Sequence, residues 1–413
     1  MEDLPIGRRV AHWRLRRNLS QQVFADRLGK SKSWVDKVER GVRRLDKFSV
    51  LYDIAEVLQV DVQLLLGKDP ARRPESVNCI DQVEVEEIRS SLECYDSISP
   101  FFSPVGTGDA PPVIELEKSV SHAWNTFQHV RYGILARLLP RLINDAQAAD
   151  QAYRGRNEEQ RAAGLLAQVY MISSSTLRKL GEHELCWLAA DRAISVAQRA
   201  GDPLLTGLAS MRVANALRAL GRHQPALELN VAVANQLAPG TQGGATPDRL
   251  SVFGILLLQG AMAAAHLGDA PCVKELLDQA EETANALGRD DNRYWTSFGP
   301  TNVQLHRAAA AVEMGEGKLA AHLHDSIDIM KFDGMLTERR ANHMIDQARG
   351  HTQYGAMDKA ATMLLEANSL APSEVLCRPL AQEVAQEVVR RSSRGSVPSQ
   401  LIELVDHMGV IPA

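Results

Sequence analysis

Residues 19–41 read LSQQVFADRLGKSKSWVDKVERG, two short amphipathic stretches separated by a turn. In the first, Phe24 and Leu28 fall on one helical face, and Ala25 leaves room for a close helix crossing. Ser20 stands where a hydroxyl caps a helix start, and Gly29 where a residue tolerant of positive φ ends one. In the second, Ser31 to Gly41, Val35 and Val38 point inward, so Lys32, Ser33, Asp36 and Lys37 face out.

The flanks complete a small bundle. Ile6 to Asn18 places Ile6, Val10, Trp13 and Arg14 at helical spacing, with Arg8, Arg9, Arg16 and Arg17 outside. Downstream, Phe48, Leu51, Ile54, Ala55 and Leu58, then Val62 to Leu66, make five helices in all. Residues 1–69 hold 14 Lys and Arg against 10 Asp and Glu, a charge of +4 in a chain whose net is −5, so the remainder carries −9. A basic reader joined to an acidic body fits that asymmetry.

Through residues 19–41 and the later IAEVLQVDVQLLLG of residues 54–67, the first 68 residues resemble the XRE family of phage-repressor-like regulators. The resemblance implies a lambda-repressor-like helix-turn-helix bundle that binds a double-stranded DNA operator. By matching positions, Lys32, Ser33 and Lys37 read base edges in the major groove. Gln21, Gln22, Trp34, Arg40, Arg43, Arg44 and Lys47 lie at the DNA backbone, Gln21 as a phosphate clamp. Lys donates to guanine, Ser donates or accepts, and the arginines neutralise phosphates. Trp34 packs either on sugar or on the bundle; Asp36 either accepts from cytosine or holds Lys32 or Arg40.

Between residues 70 and 112 six prolines surround one amphipathic segment, Val83 to Tyr95, which marks a linker with one helix. That helix packs on the body or pairs with a second protomer. From residue 113 to 413 helix follows helix, and an apolar-Gly step recurs at Gly181, Gly221, Gly268, Gly315 and Gly355. Five residues beyond each stands Cys186, Ala226, Val273, Ala320 or Ala360, and twelve beyond three of them Ala193, Ala280 or Ala367. The pattern resembles tetratricopeptide repeats, with a unit longer than their norm of ~34 residues. It implies an α-solenoid started by Leu116–Val130 and Ile134–Ala149 and capped by 380–391 and 400–408. The expected fold is therefore all-α, a five-helix DNA-binding bundle followed by a helical-repeat body.

The whole chain also resembles bacterial regulators, frequent in actinobacteria, in which an XRE module precedes a tetratricopeptide-like body. The carrying phrases are SKSWVDKVERGVRRL, CWLAADRAISVAQRAGDPLL and YWTSFGPTNVQLHRAAAAVEMG. The resemblance implies a body that senses an effector, a signalling peptide or a small molecule; because a lone module of net charge +4 binds weakly, the body is also expected to supply a homodimer. For its lining, Tyr294, Trp295, Phe298, Asn302 and His306 concentrate aromatic and polar groups beside Pro300, while Arg212, Asn215 and Asn230 offer donors and acceptors on inner helices. The alternative is that the aromatics plug the space between repeats.

Other classes find little support. HExxH, GxSxG and a complete Walker pattern are absent, so no enzyme is expected. His322 and His324 are two apart on a helix and do not converge, so no metal or cofactor is implied. Five scattered cysteines give no disulfide framework and read as reduced, mostly buried thiols. No apolar run of bilayer-spanning length is evident, which suggests a cytoplasmic protein without a membrane partner. A protein-interaction adaptor whose groove binds a partner protein is the alternative function.

Overall fold

The computed structural model describes residues 6–16, 19–43, 50, 54–55, 57–58, 80, 82–93, 110–240, 245–392 and 397–408. Among these, the regular structure is helical, and the chain divides into two compact units, residues 1–76 and 77–413.

In the first unit, α1 (Ile6–Arg16), α2 (Gln21–Arg27) and α3 (Lys32–Glu39) surround a core of Val10, Phe24, Ala25 and Val35. Ile54, Ala55 and Leu58, on helical positions further along, close that core. The expected segment Val62–Leu66 lies outside the described residues. Arg9, expected outside, is buried, so α1 turns a wider face inward than its apolar residues alone suggest.

The second unit opens with α4 (Gln82–Glu93). Its Val85, Ile88 and Leu92 are buried in the core of the repeat body, while Val83 stays exposed. The helix in the proline-rich stretch thus packs on the body. Helical hairpins follow: α5 (Val113–Gln128) with α6 (Tyr132–Ala152), α7 (Glu159–Lys179) with α8 (His183–Ala197), and α9 (Pro203–Ala219) with α10 (His223–Leu237). Next come α11 (Pro247–Leu267) with α12 (Ala270–Leu287), and α13 (Pro300–Glu313) with α14 (Gly317–Asp325). After the short α15 (Ile329–Asp333) come α16 (Thr337–Gln353) with α17 (Met357–Leu370), then α18 (Pro372–Leu376), α19 (Pro379–Arg391) and α20 (Ser399–His407).

The recurring glycines explain the hairpins. Gly181, Gly221, Gly268, Gly315 and Gly355 all have φ between 72° and 84°, the left-handed region where a Cβ is unfavourable. Their role is to reverse the chain between the two helices of a hairpin, rather than to thin a helix contact. Cys186, Ala226, Val273, Ala320 and Ala360 are all buried where the returning helix crosses its partner, as are Ala193, Ala280 and Ala367.

Two expectations need correction. Helix α11 is long and apolar enough to cross a bilayer by length and composition, but most of it is buried inside the body. Its apolarity is that of a helix surrounded by protein. Among the described cysteines only Cys186 is fully buried; Cys272 and Cys377 are partly exposed, and Cys79 and Cys94 lie outside the described residues.

Candidate nucleic-acid interface and effector cavity

Helix α3 begins at a true cap: the Ser31 hydroxyl accepts from the Trp34 amide at 3.1 Å, as the Ser20 hydroxyl does from Val23 at 3.2 Å on α2. With Val35, Val38 and Glu39 buried, Lys32, Ser33 and Lys37 are left exposed on the opposite side. One polar knot fixes their presentation. The Glu39 carboxylate accepts from Arg14 at 2.6 and 3.1 Å and from the Gln21 amide at 2.8 Å, and Arg14 also donates to the Leu19 carbonyl at 2.7 Å. Gln21, expected as a phosphate clamp, therefore spends its amide on locking α2 to α3. Gln22 donates to Asp26 at 2.8 Å. Asp36 pairs with Arg40 one turn on, which answers the question its position raised. Trp34 packs on the bundle core, and the Arg43 guanidinium lies 6.0 Å from its ring centre. Arg44 and Lys47 lie outside the described residues.

In the second unit a cavity of about 450 Å³ is lined largely by the first helices of successive hairpins. Arg178 comes from α7, Asn215 and Arg218 from α9, Gln259 and His266 from α11, Asn302, His306 and Glu313 from α13, and Arg339, His343, Asp346 and Arg349 from α16. A directed hydrogen-bond chain crosses its wall. Arg218 donates to the Gln259 carbonyl at 3.1 Å; the Gln259 amide donates to His306 Nε2 at 3.3 Å; His306 Nδ1 donates to the Asn302 carbonyl at 2.9 Å. This direction needs a neutral imidazole, and burial presses His306 down to about 3. Burial lowers His343 likewise to about 3 and raises the Asp346 carboxyl to about 6. Burial also raises Glu313, but the Arg349 guanidinium at 2.7 Å more than reverses this and holds it below the usual carboxylate range.

Beside the cavity runs a buried charge cluster. Lys179 contacts Glu374 at 2.5 Å and Glu338 at 2.7 Å, and the Tyr132 hydroxyl donates to the other Glu374 oxygen at 2.5 Å. Arg378 reaches the same Glu374 at 3.2 Å. The cluster ties α6 and α7 to α16 and α18, elements far apart in sequence.

Residues 5–66 match the family model of the helix-turn-helix domain. This segment is a helix-turn-helix domain. Among solved structures, PlcR of Bacillus thuringiensis, in complex with the peptide PapR7 and DNA, is 12% identical, with TM-score 0.37, covering 90% of this chain and 99% of that one. The apo form of ComR from S. Thermophilus is 11% identical, with TM-score 0.25, covering 95% and 100%. No curated protein sequence matches the chain.

The helix-turn-helix domain thus presents the three expected base-reading residues on one exposed face, while Gln21 and Trp34 serve the bundle. In the body, the cavity brings together Asn215, Asn302 and His306 but excludes the other expected effector residues. Asn230 is buried, donating to the Ala226 carbonyl at 3.0 Å. Arg212 lies 5.6 Å from the Trp124 ring. Tyr294 donates to the helix-capping Asp202 at 2.9 Å, and Trp295 stacks on Trp124. Phe298 is fully buried over Gly254, whose hydrogen leaves room for the ring. The aromatic segment is therefore a plug, the alternative the sequence left open. Arg178, Arg218 and Arg339 were not singled out in the sequence; their signal is an arginine on the inner face of a hairpin's first helix.

Proposed function

We propose that this protein is a sequence-specific DNA-binding transcriptional regulator whose helical-repeat body binds an effector and supplies dimerisation. The observation that carries the first part is the exposed trio Lys32, Ser33 and Lys37 on a helix locked by the Arg14–Glu39–Gln21 knot. Rigid presentation matters because base discrimination rests on bidentate geometry, worth about 1–3 kcal/mol per good contact. Exposed Arg40 and Arg43 supply phosphate neutralisation around the trio.

For sensing, the support is a built cavity, with charge, hydrogen-bond donors and acceptors converging from five hairpins in a volume suited to a small molecule. A dimer places two reading helices on half-sites about 34–36 Å apart, which raises the modest affinity of one module.

Footprinting on DNA selected from a random pool tests this reading. Protection of a palindromic site by the full chain, weakened by Lys32→Ala and Lys37→Ala, is expected. Equal binding to selected and scrambled DNA would overturn it.

A further inference from the structure

Among the described residues, three arginines at or near the cavity form no ion pair with a carboxylate. Among the described residues, Arg178 makes no side-chain hydrogen bond or ion pair, Arg212 meets only the Trp124 face, and Arg218 donates only to Gln259. Their neighbourhood is shared: Arg178 depresses the pKa of both Arg212 and Arg218, after burial itself, which is the main cause. Arg218 falls to about 10 and so remains charged at neutral pH.

Like charges gathered out of water are costly unless something opposite joins them. The acids present are largely committed. Glu313 holds Arg349, and Glu338 and Glu374 hold Lys179 and Arg378. Asp346 and the exposed rim residue Glu383 remain.

Two further atoms point to a missing ligand. The Nη1 of Arg218 and the Oδ1 of Asn302 are buried without a hydrogen-bond partner, and both residues line the cavity. One is a cationic donor, the other an acceptor. Buried polar groups are ordinarily satisfied, so an unpartnered donor–acceptor pair in a cavity wall suggests a molecule carrying the complement.

We propose that the cavity receives a small organic anion, a carboxylate or phosphate held by Arg178 and Arg218, with a hydroxyl or N–H group of the same molecule donating to Asn302. This rests on the sensing reading above and gives the effector a chemical class. The roughly 450 Å³ available matches a compact metabolite-sized anion rather than a long extended peptide.

The test uses the full-length protein and thermal shift at constant ionic strength with inorganic phosphate, citrate, glucose 6-phosphate and glucose. Citrate and glucose 6-phosphate separate the carboxylate from the phosphate source, and glucose controls for hydroxyls without charge. A saturable rise in Tm with at least one organic anion, absent with glucose, is expected. Arg218→Gln and Arg178→Gln should each weaken it by about ten-fold or more, in line with the loss of a charge-assisted contact. Should Arg218→Gln fail to fold, Arg178→Gln decides. No saturable response to either organic anion, or an undiminished response in the variants, overturns the proposal. DNA affinity measured in the same samples separates the two readings: saturable anion binding with unchanged DNA affinity keeps the anion site and overturns sensing.

Discussion

Trp295 stacks on Trp124, ring centroids 5.9 Å apart and planes 12° from parallel, across 171 positions of sequence. The contact joins α5 to the loop before α13, where Tyr294, Trp295 and Ser297 all have φ between 50° and 60°. Such left-handed non-glycine residues cost of order 1–3 kcal/mol each and persist only where surroundings over-determine them. Here they do. Asn292 exchanges hydrogen bonds with Gln128 at 2.9 and 3.1 Å, Arg293 reaches Asp248 at 2.8 Å, and Asn302 holds the Ser297 carbonyl at 2.8 Å.

Trp295→Ala removes the stack and leaves half-buried space, so the body should lose about 2–3 kcal/mol. Chemical denaturation followed by far-UV circular dichroism measures this. Gly254→Ala should act on the same plug, because a Cβ there would lie 2.0 Å from the buried Phe298 ring. Overpacking of this kind costs about 1–3 kcal/mol. An unchanged midpoint in both variants would contradict the plug.

Glu39→Ala leaves Arg14 buried without its partner and frees Gln21. Removing one member of a buried pair costs about 3–5 kcal/mol, so the helix-turn-helix domain should melt well below the body. Two resolved calorimetric transitions, the earlier one moved by this substitution alone, are the expected result.

Acid should destabilise the body. His306 and His343 have folded pKa values of about 3, below the ordinary 6.5, so the native state excludes protons that the unfolded chain takes up. Their stabilisation is intact above pH 6.5 and is lost as pH falls toward 3. Asp346, raised to about 6, works in the opposite sense: its stabilisation is full below its unfolded value of 3.8 and is lost as pH rises through 6. For these three groups the two imidazoles outweigh the one carboxyl, a loss of about 1.4 kcal/mol per pH unit between roughly pH 6 and 5, and His266, His324 and His351, which burial also lowers, act in the same sense. Asp346→Asn should steepen that loss, which urea titrations at several pH values can follow.

Much of this was readable in the chain because it is local. Ser20, Ser31 and Gly29 act within a turn of themselves, and each of the five hairpin glycines is followed five residues on by a small or β-branched residue of the returning helix. What escaped depends on distant partners. Trp295 reads as a pocket aromatic until Trp124 is beside it, and Gln21 as a phosphate clamp until Glu39 occupies its amide. The choice of Arg212 over Arg218, six residues along α9, turns on which side of that helix faces the cavity, and α9 is buried on so many sides that its apolar pattern names no single face.

Base reading and phosphate neutralisation should separate experimentally. Lys37→Ala should lower affinity for the preferred site by about 1–3 kcal/mol and relax its sequence preference. Arg43→Ala should weaken all DNA alike and reduce the dependence of log K on log salt by about one unit.

On this reading the exposed face of α3 reads sequence. Fluorescence anisotropy at fixed salt, comparing selected and scrambled duplexes for the full chain and for Lys37→Ala, tests it most directly. The expected preference for the selected duplex is about 10³ or more, falling about ten-fold or further in the variant. Equal affinity for both duplexes, or a preference unchanged by the substitution, would contradict it.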